Sequence, residues 1–233
     1  MKIVVFSGAG ISQESGLKTF RDGGGLWEGH NVHDVCSADA WRTNPGRVLA
    51  FYNERRRDAL TAVPNAAHRA VADLEGPDME VTVVTQNVDD LHERAGSTRV
   101  IHLHGAIMKK RSDASGETEL LDCREDIHLG DVAANGHQFR PHIVFFQEML
   151  PEGAFEQGME ASAQADVLIV VGTTLEVTPA AYIATYTGAT RVFLVDPNPP
   201  SASRLSAPDR EVTTIAKPAT VGIPHLVALL KEG

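Results

Sequence analysis

An apolar run, Ile3 to Phe6, is followed by Gly8-Ala9-Gly10, and the next residues, Ile11-Ser12-Gln13-Glu14-Ser15-Gly16, read as the opening of a helix. Glycines at such a turn let backbone N–H groups approach a pyrophosphate, and a helix N-terminus adds positive potential. The third glycine of G-x-G-x-x-G is absent, since position 13 is Gln, so the segment serves equally as a tight strand-to-helix turn. Four more polar clusters stand at or just past apolar runs: Thr85-Gln86-Asn87-Val88-Asp89, His102-Leu103-His104-Gly105, Gly172-Thr173-Thr174 and Asp196-Pro197-Asn198. Singly, Asn87 and Asp89 could cap helices, while Gly172 and Asp196 could shape turns. Jointly they fall on one rim of a sheet, the side where an open α/β sheet takes its ligand. At that rim the imidazole of His104 could act as a general base near neutral pH; the chain holds ten histidines, and an ordinary surface or core role is the alternative. Tyr52 and Arg55, spaced i, i+3, put a phenol and a guanidinium on one helix face. Arg can grip a carboxylate bidentately and Tyr can add a third hydrogen bond. The same pair could instead be a packed phenol beside one of three solvated arginines.

These groups need a scaffold, and short β-branched runs supply its strands: Ile3 to Phe6, Val81 to Thr85, Val100 to Leu103, Val167 to Val171 and Val192 to Val195. Helical patterns lie between them at Pro45 to Leu60, Asn65 to Leu74, Asp89 to Ala95, Ala154 to Ala165 and Pro179 to Tyr186, with a last one ending near Leu230. The alternation predicts an α/β fold, a Rossmann-like doubly wound parallel sheet. Two stretches break it, residues 22–62 and the polar, weakly periodic 111–140; long connections of this kind are usually functional insertions. The expected division is a Rossmann-like domain of residues 1–24, 63–108 and 142–233, with a small inserted lobe of residues 25–62 and 109–141.

Length and charge bound the rest. With a prior of about 150 residues per domain, 233 residues make one large domain or one domain with an insertion. A net charge of −10 argues against a general phosphate-backbone binder, so no direct nucleic-acid partner is expected. No apolar run approaches the ~20 residues of a membrane span and Met1 leads straight into a strand, so no membrane partner is expected and a cytoplasmic location is. Cys36 and Cys123 are far apart and form no CxxC, which fits reduced thiols rather than a disulfide scaffold.

The combination GAGIS-x-ESG-x-x-x-FR at 8–21, TQNVD at 85–89, HLHG at 102–105 and GTTLEVTP at 172–179 resembles the sirtuins, NAD-dependent protein-lysine deacylases. GLWE at 25–28, FYN-x-RRR at 51–57 and PNAAH at 64–68 are similar to the bacterial desuccinylase type. The resemblance implies that Gly8, Ala9 and Gly10 cradle the NAD pyrophosphate, with Phe20 and Arg21 in the loop over the nicotinamide ribose. Gln86, Asn87 and Asp89 would form the ribose and nicotinamide pocket, and Gly172, Thr173, Thr174 and Asp196 would hold the adenosine half. His104 would act as base on the ribose hydroxyls while the acyl-lysine carbonyl oxygen attacks C1′ and nicotinamide leaves, giving deacylated lysine and O-acyl-ADP-ribose. Tyr52 and Arg55 would recognise the acid end of succinyl- or malonyl-lysine. The strand-like stretch Phe145-Phe146-Gln147-Glu148 and Leu175-Glu176-Val177 would sandwich the substrate peptide, Phe146 and Val177 touching it.

Three positions depart from the resemblance. Asp196 stands where the family usually carries Asn, although a carboxylate still accepts from a ribose hydroxyl. Ser112 takes the place of the first of four zinc cysteines, and no zinc pattern can be written from Cys123, His128 and His137, so a metal-free lobe with compensating packing or mobility is expected. Gln147 replaces a glycine, which would crowd the peptide groove or change the backbone angle. Two alternatives stay open: the same NAD site serving a glycohydrolase or ADP-ribosyltransferase, and a non-catalytic NAD or ADP-ribose sensor.

Overall fold

The computed structural model describes residues 1–18, 26–27, 30–116, 118–151 and 153–232. In chain order its elements are β1 (Lys2–Ser7), β2 (Leu26–Trp27), β3 (His30–Asn31), α1 (Val32–Val35), α2 (Ala38–Thr43), α3 (Pro45–Thr61) and α4 (Ala66–Asp73). They continue with β4 (Glu80–Thr85), α5 (Leu91–Ala95), β5 (Val100–His102), β6 (Gly105–Ser112), β7 (Leu121–Asp122) and β8 (Phe139–Ile143). The last are α6 (Ala154–Ala163), β9 (Val167–Val171), α7 (Ala181–Thr185), β10 (Arg191–Val195), β11 (Glu211–Ile215) and α8 (Ala219–Glu232).

Six strands make one parallel sheet in the order β11-β10-β9-β1-β4-β5, the Rossmann-like architecture that the alternation predicts. β9 is apolar along its length, and β1 from Ile3 to Phe6, because both sheet faces are covered. Val71, Leu74, Ile223 and Leu226 of the α4 and α8 layer close one face; Ile183 and Ala184 close the other over Leu168 and Val170. Each of these Val, Leu and Ile side chains stabilises the fold by ~1.5–3 kcal/mol relative to exposure. The chain starts at the sheet centre, steps outward through β4 and β5, then resumes on the other side of β1 with β9. That reversal opens a crevice between the carboxyl ends of β1 and β9.

Two local expectations change. The helix expected after Gly10 is a pair of 3₁₀ turns, Ala9–Ile11 and Gln13–Ser15, ended by Gly16 in the left-handed region. The Asn65 amide holds them there by donating to the Ile11 carbonyl at 2.8 Å and to Ser15 Oγ at 3.0 Å. β11 carries no apolar run that a sequence reading could detect, since it pairs with β10 alone at the sheet edge and is largely exposed.

The smaller lobe packs α1 to α3 against a three-stranded antiparallel sheet, β7-β6-β8, around Trp41, Leu49, Tyr52, Ile107, Ile127 and Phe145. Its sheet extends past the expected 109–141 segment on both sides, because pairing of β6 with β8 begins at Gly105 and Ile143. Gly105 has φ +83°, and a Cβ there would meet the His142 carbonyl oxygen at 2.2 Å. α3 starts on an Asn44 cap that accepts from Arg47 N, with Pro45 in its first turn. Side-chain amides knit the lobe's long loop. Asn53 takes both backbone groups of Ile127 at 2.9 Å each, and Gln138 Nε2 donates to the carbonyls of His128, Asp131 and Phe139.

Candidate active site

A cavity of about 1670 Å³ runs from the β1–β9 crevice to the lobe. Its wall includes every sequence-selected site residue that lies among the described ones; Phe20 and Arg21 lie outside them. At the crevice floor the first glycine turn is bonded to the third cluster. Gly8 N donates to the Val171 carbonyl at 3.0 Å and Gly10 N to the Gly172 carbonyl at 2.9 Å. Gly172, at φ +63°, leaves no room for a side chain, as a Cβ would sit 2.4 Å from Ile11 N. Thr173 Oγ accepts from Leu175 N at 3.2 Å and from Gln86 Nε2 at 3.0 Å, so it orients Gln86 across the crevice. Thr174 and Asp196 continue the rim; Asp196 is buried and one of its carboxylate oxygens accepts from Asn198 N at 2.8 Å.

Past the crevice Ser12, which sequence reasoning passed over, joins two selected residues. Its hydroxyl donates to Asp89 Oδ2 at 3.1 Å and accepts from Asn87 Nδ2 at 3.2 Å. His68 approaches the same oxygen at 3.4 Å. Burial pushes the Asp89 carboxyl above its usual range and holds His68 down to about 4, so His68 is a neutral ring. The backbone carbonyl of Asn87 accepts from His102 Nδ1 at 2.9 Å, while His102 Nε2 faces Glu93 at 2.7 Å. A ring donating through both nitrogens is an imidazolium, in keeping with its raised pKa, where hydrogen bonding and the Glu93 charge overcome burial.

His104 Nδ1 lies 3.0 Å from the Gln86 carbonyl oxygen. A carbonyl only accepts, so Nδ1 carries the proton and Nε2 keeps its lone pair. Burial lowers the pKa, and the imidazole is neutral at pH 7. That is a base held in one tautomer at the rim of a large cavity.

At the lobe end of the cavity Tyr52 is buried, with its ring centroid 5.7 Å from that of Phe145. Arg55 lies one helical turn on, 10% exposed, its guanidinium carbon 5.1 Å from the Phe51 ring centroid. The two-point grip expected of Arg55 is already taken. Asp58 Oδ2 sits 3.1 Å from Nε and 3.0 Å from Nη2, and Glu54 Oε1 is 2.9 Å from Nη2. Nη1 is buried without a hydrogen-bond partner.

Phe146 and Val177, each 46% exposed, stand at the cavity mouth with Met149. The stretch at 145–148 is not a regular strand. Phe146 makes a single parallel bridge to Ser37, and the chain then turns. Gln147 has φ +78°, in the left-handed region that favours glycine, and its side-chain amide donates to Asp39 at 3.1 Å.

The residues at the family's zinc position do not fit a metal. Ser112 Oγ donates to Asn135 Oδ1 at 3.0 Å, and the Cys123 thiol donates to the Glu125 carbonyl at 3.3 Å. No cluster of three His, Cys, Asp or Glu side chains suited to a metal occurs among the described residues.

A crevice at a strand-order reversal, a glycine turn and a neutral imidazole define an α/β protein with a nucleotide-sized cavity and a candidate general base. Comparison names the family: the Sir2 family model matches residues 8–179, and the chain belongs to that family. It is 48% identical over 197 residues to an NAD-dependent protein deacylase of Aggregatibacter actinomycetemcomitans, spanning 84% of this chain and 93% of the relative. An NAD-dependent protein deacylase Sir2 of Mycolicibacterium smegmatis is 40% identical over 238 residues, spanning 100% of this chain and 98% of the relative. Among solved structures, a Sir2 homologue in complex with NAD superposes with a TM-score of 0.87 at 31% identity, covering 99% of this chain and 90% of the other.

Proposed function

We propose that this Sir2-family enzyme, an NAD-dependent protein deacylase yielding nicotinamide and O-acyl-ADP-ribose, removes acidic acyl groups, succinyl or malonyl, from lysine as well as acetyl. The observation that carries the acyl assignment is the unpartnered, buried Nη1 of Arg55, beside Tyr52 in the same cavity as His104. A buried donor without an acceptor costs ~1–3 kcal/mol, and an acyl carboxylate reaching it recovers that energy.

In this reading Gly8, Ala9 and Gly10 face the pyrophosphate, Gly172, Thr173, Thr174 and Asp196 the adenosine half, and Gln86, Asn87 and Asp89 the ribose and nicotinamide end. His104 Nε2 takes the proton of a ribose hydroxyl, its tautomer set by the Gln86 carbonyl. Phe146 and Val177 flank the substrate peptide at the cavity mouth, where their exposed side chains await cover.

The test follows deacylated peptide, nicotinamide and O-acyl-ADP-ribose by mass spectrometry, with NAD and matched acetyl- and succinyl-lysine peptides. Succinyl removal is expected, and Arg55→Met should lower it by ~10–100-fold, far more than acetyl removal. Equal losses on both peptides would remove Arg55 from acid recognition. Nicotinamide release without peptide turnover would replace the deacylase reading with glycohydrolase or ADP-ribosyl transfer.

A further inference from the structure

A guanidinium offers two edges for a two-point grip on a carboxylate, Nε with Nη2 and Nη1 with Nη2. In this chain both are compromised by its own acids. Asp58 Oδ2 bridges Nε and Nη2, and Glu54 Oε1 also lies against Nη2, which leaves Nη1 as the single unused nitrogen. Arg55 is nine-tenths buried, while Asp58 is half-exposed and itself lines the cavity. An acyl carboxylate arriving at Arg55 therefore meets one free nitrogen and a carboxylate already seated on the neighbouring edge. A neutral acyl group meets no such rival.

We propose that Asp58 sets the acyl preference of this pocket, as a built-in carboxylate that holds Arg55 and must be shared or displaced by the acid end of the substrate. The inference rests on the acidic-acyl reading above and adds a residue to it. Asp58 discounts acidic acyl groups, narrowing the gap between them and acetyl, so that one pocket serves both. Asp58 itself is half-exposed, one turn on from Arg55 on α3, and Glu54 remains against the guanidinium when it is replaced, so the substitution should not unfold the helix.

The test compares kcat/KM for succinyl- and acetyl-lysine peptides in the wild-type enzyme, Asp58→Asn and Asp58→Ser. Asparagine keeps the size of the side chain and removes its charge. Both variants should raise the succinyl-to-acetyl ratio by about tenfold, mainly through a lower KM for the succinyl peptide, as one released charge contact implies. A 4-methylpentanoyl-lysine peptide, shaped like succinyl but without a carboxylate, should not share the gain; an equal gain for it means added space rather than a freed guanidinium, and overturns the inference. An unchanged ratio in an enzyme that removes succinyl groups overturns it while leaving the acidic-acyl reading intact. A lowered ratio makes Asp58 an orienting partner of Arg55 and likewise overturns it. An enzyme in which neither wild type nor variant removes succinyl groups overturns both readings.

Discussion

His104 shows how much of the candidate chemistry depends on one hydrogen bond. Its identity and its place before Gly105 are visible in the chain, yet only the 3.0 Å approach of Nδ1 to the Gln86 carbonyl says which nitrogen is free. Replacing it with Ala should lower kcat/KM by ~10²–10⁴-fold and leave nucleotide binding largely intact, as measured by calorimetric titration beside the turnover assay. Because burial lowers its pKa, the unprotonated base persists below the ordinary value of 6.5. The acid limb of the kcat/KM profile should therefore be centred below pH 6.5, and a limb centred above it would speak against His104 as the base. Ser12 was equally present in the motif, but a serine carries no spacing signal of its own. Its role comes from the convergence of Asn87, Asp89 and His68 on one hydroxyl across more than fifty positions of sequence.

At the level of elements, α3 presents the pair proposed for acyl recognition on one face and the groups that hold the lobe together on the next. Tyr52 and Arg55 turn to the cavity, while Asn53 and Arg56 turn inward, Arg56 donating to the Ile107 carbonyl at 3.0 Å and to Asn53 Oδ1 at 2.8 Å. Asn53 and Arg56 together therefore tie α3 to the loop at 127 and to the β6 strand. Asn53→Ala should leave two backbone groups and a guanidinium short of partners and cost ~2–4 kcal/mol. The urea midpoint would report the loss, and hydrogen exchange should localise it to residues 121–128; an unchanged midpoint would assign lobe stability to packing alone. The helices and central strands were legible because their apolar periodicity is dictated by a two-sided core. β6, β7 and β8 were not, since their loops are polar and their pairing joins distant segments.

For the whole molecule, buried histidines set an acid limit. His68 and His142 are held down to about 4 by burial, and His92, edge-on to His68 with centroids 5.0 Å apart, is depressed as well. The folded state keeps these rings neutral, whereas the unfolded chain takes up protons near 6.5, so acidification from 6.5 towards 4 favours unfolding. Each ring adds to that slope, because the unfolded chain takes up a proton that the fold refuses. Thermal midpoints should fall steadily between those values, and a flat profile would mean the rings are charged in the fold. The sequence by itself determined the α/β alternation, the polar clusters at strand ends and the phenol–guanidinium pair on α3, because periodicity and helical spacing are local properties of the chain. Only the tertiary structure decided which donors remain free. It fixed the tautomer of His104 through a carbonyl of another strand end, and made Gly172 obligatory by pressing it against Gly10. Hydrogen-bond occupancy and close approach are settled by groups that the sequence keeps apart.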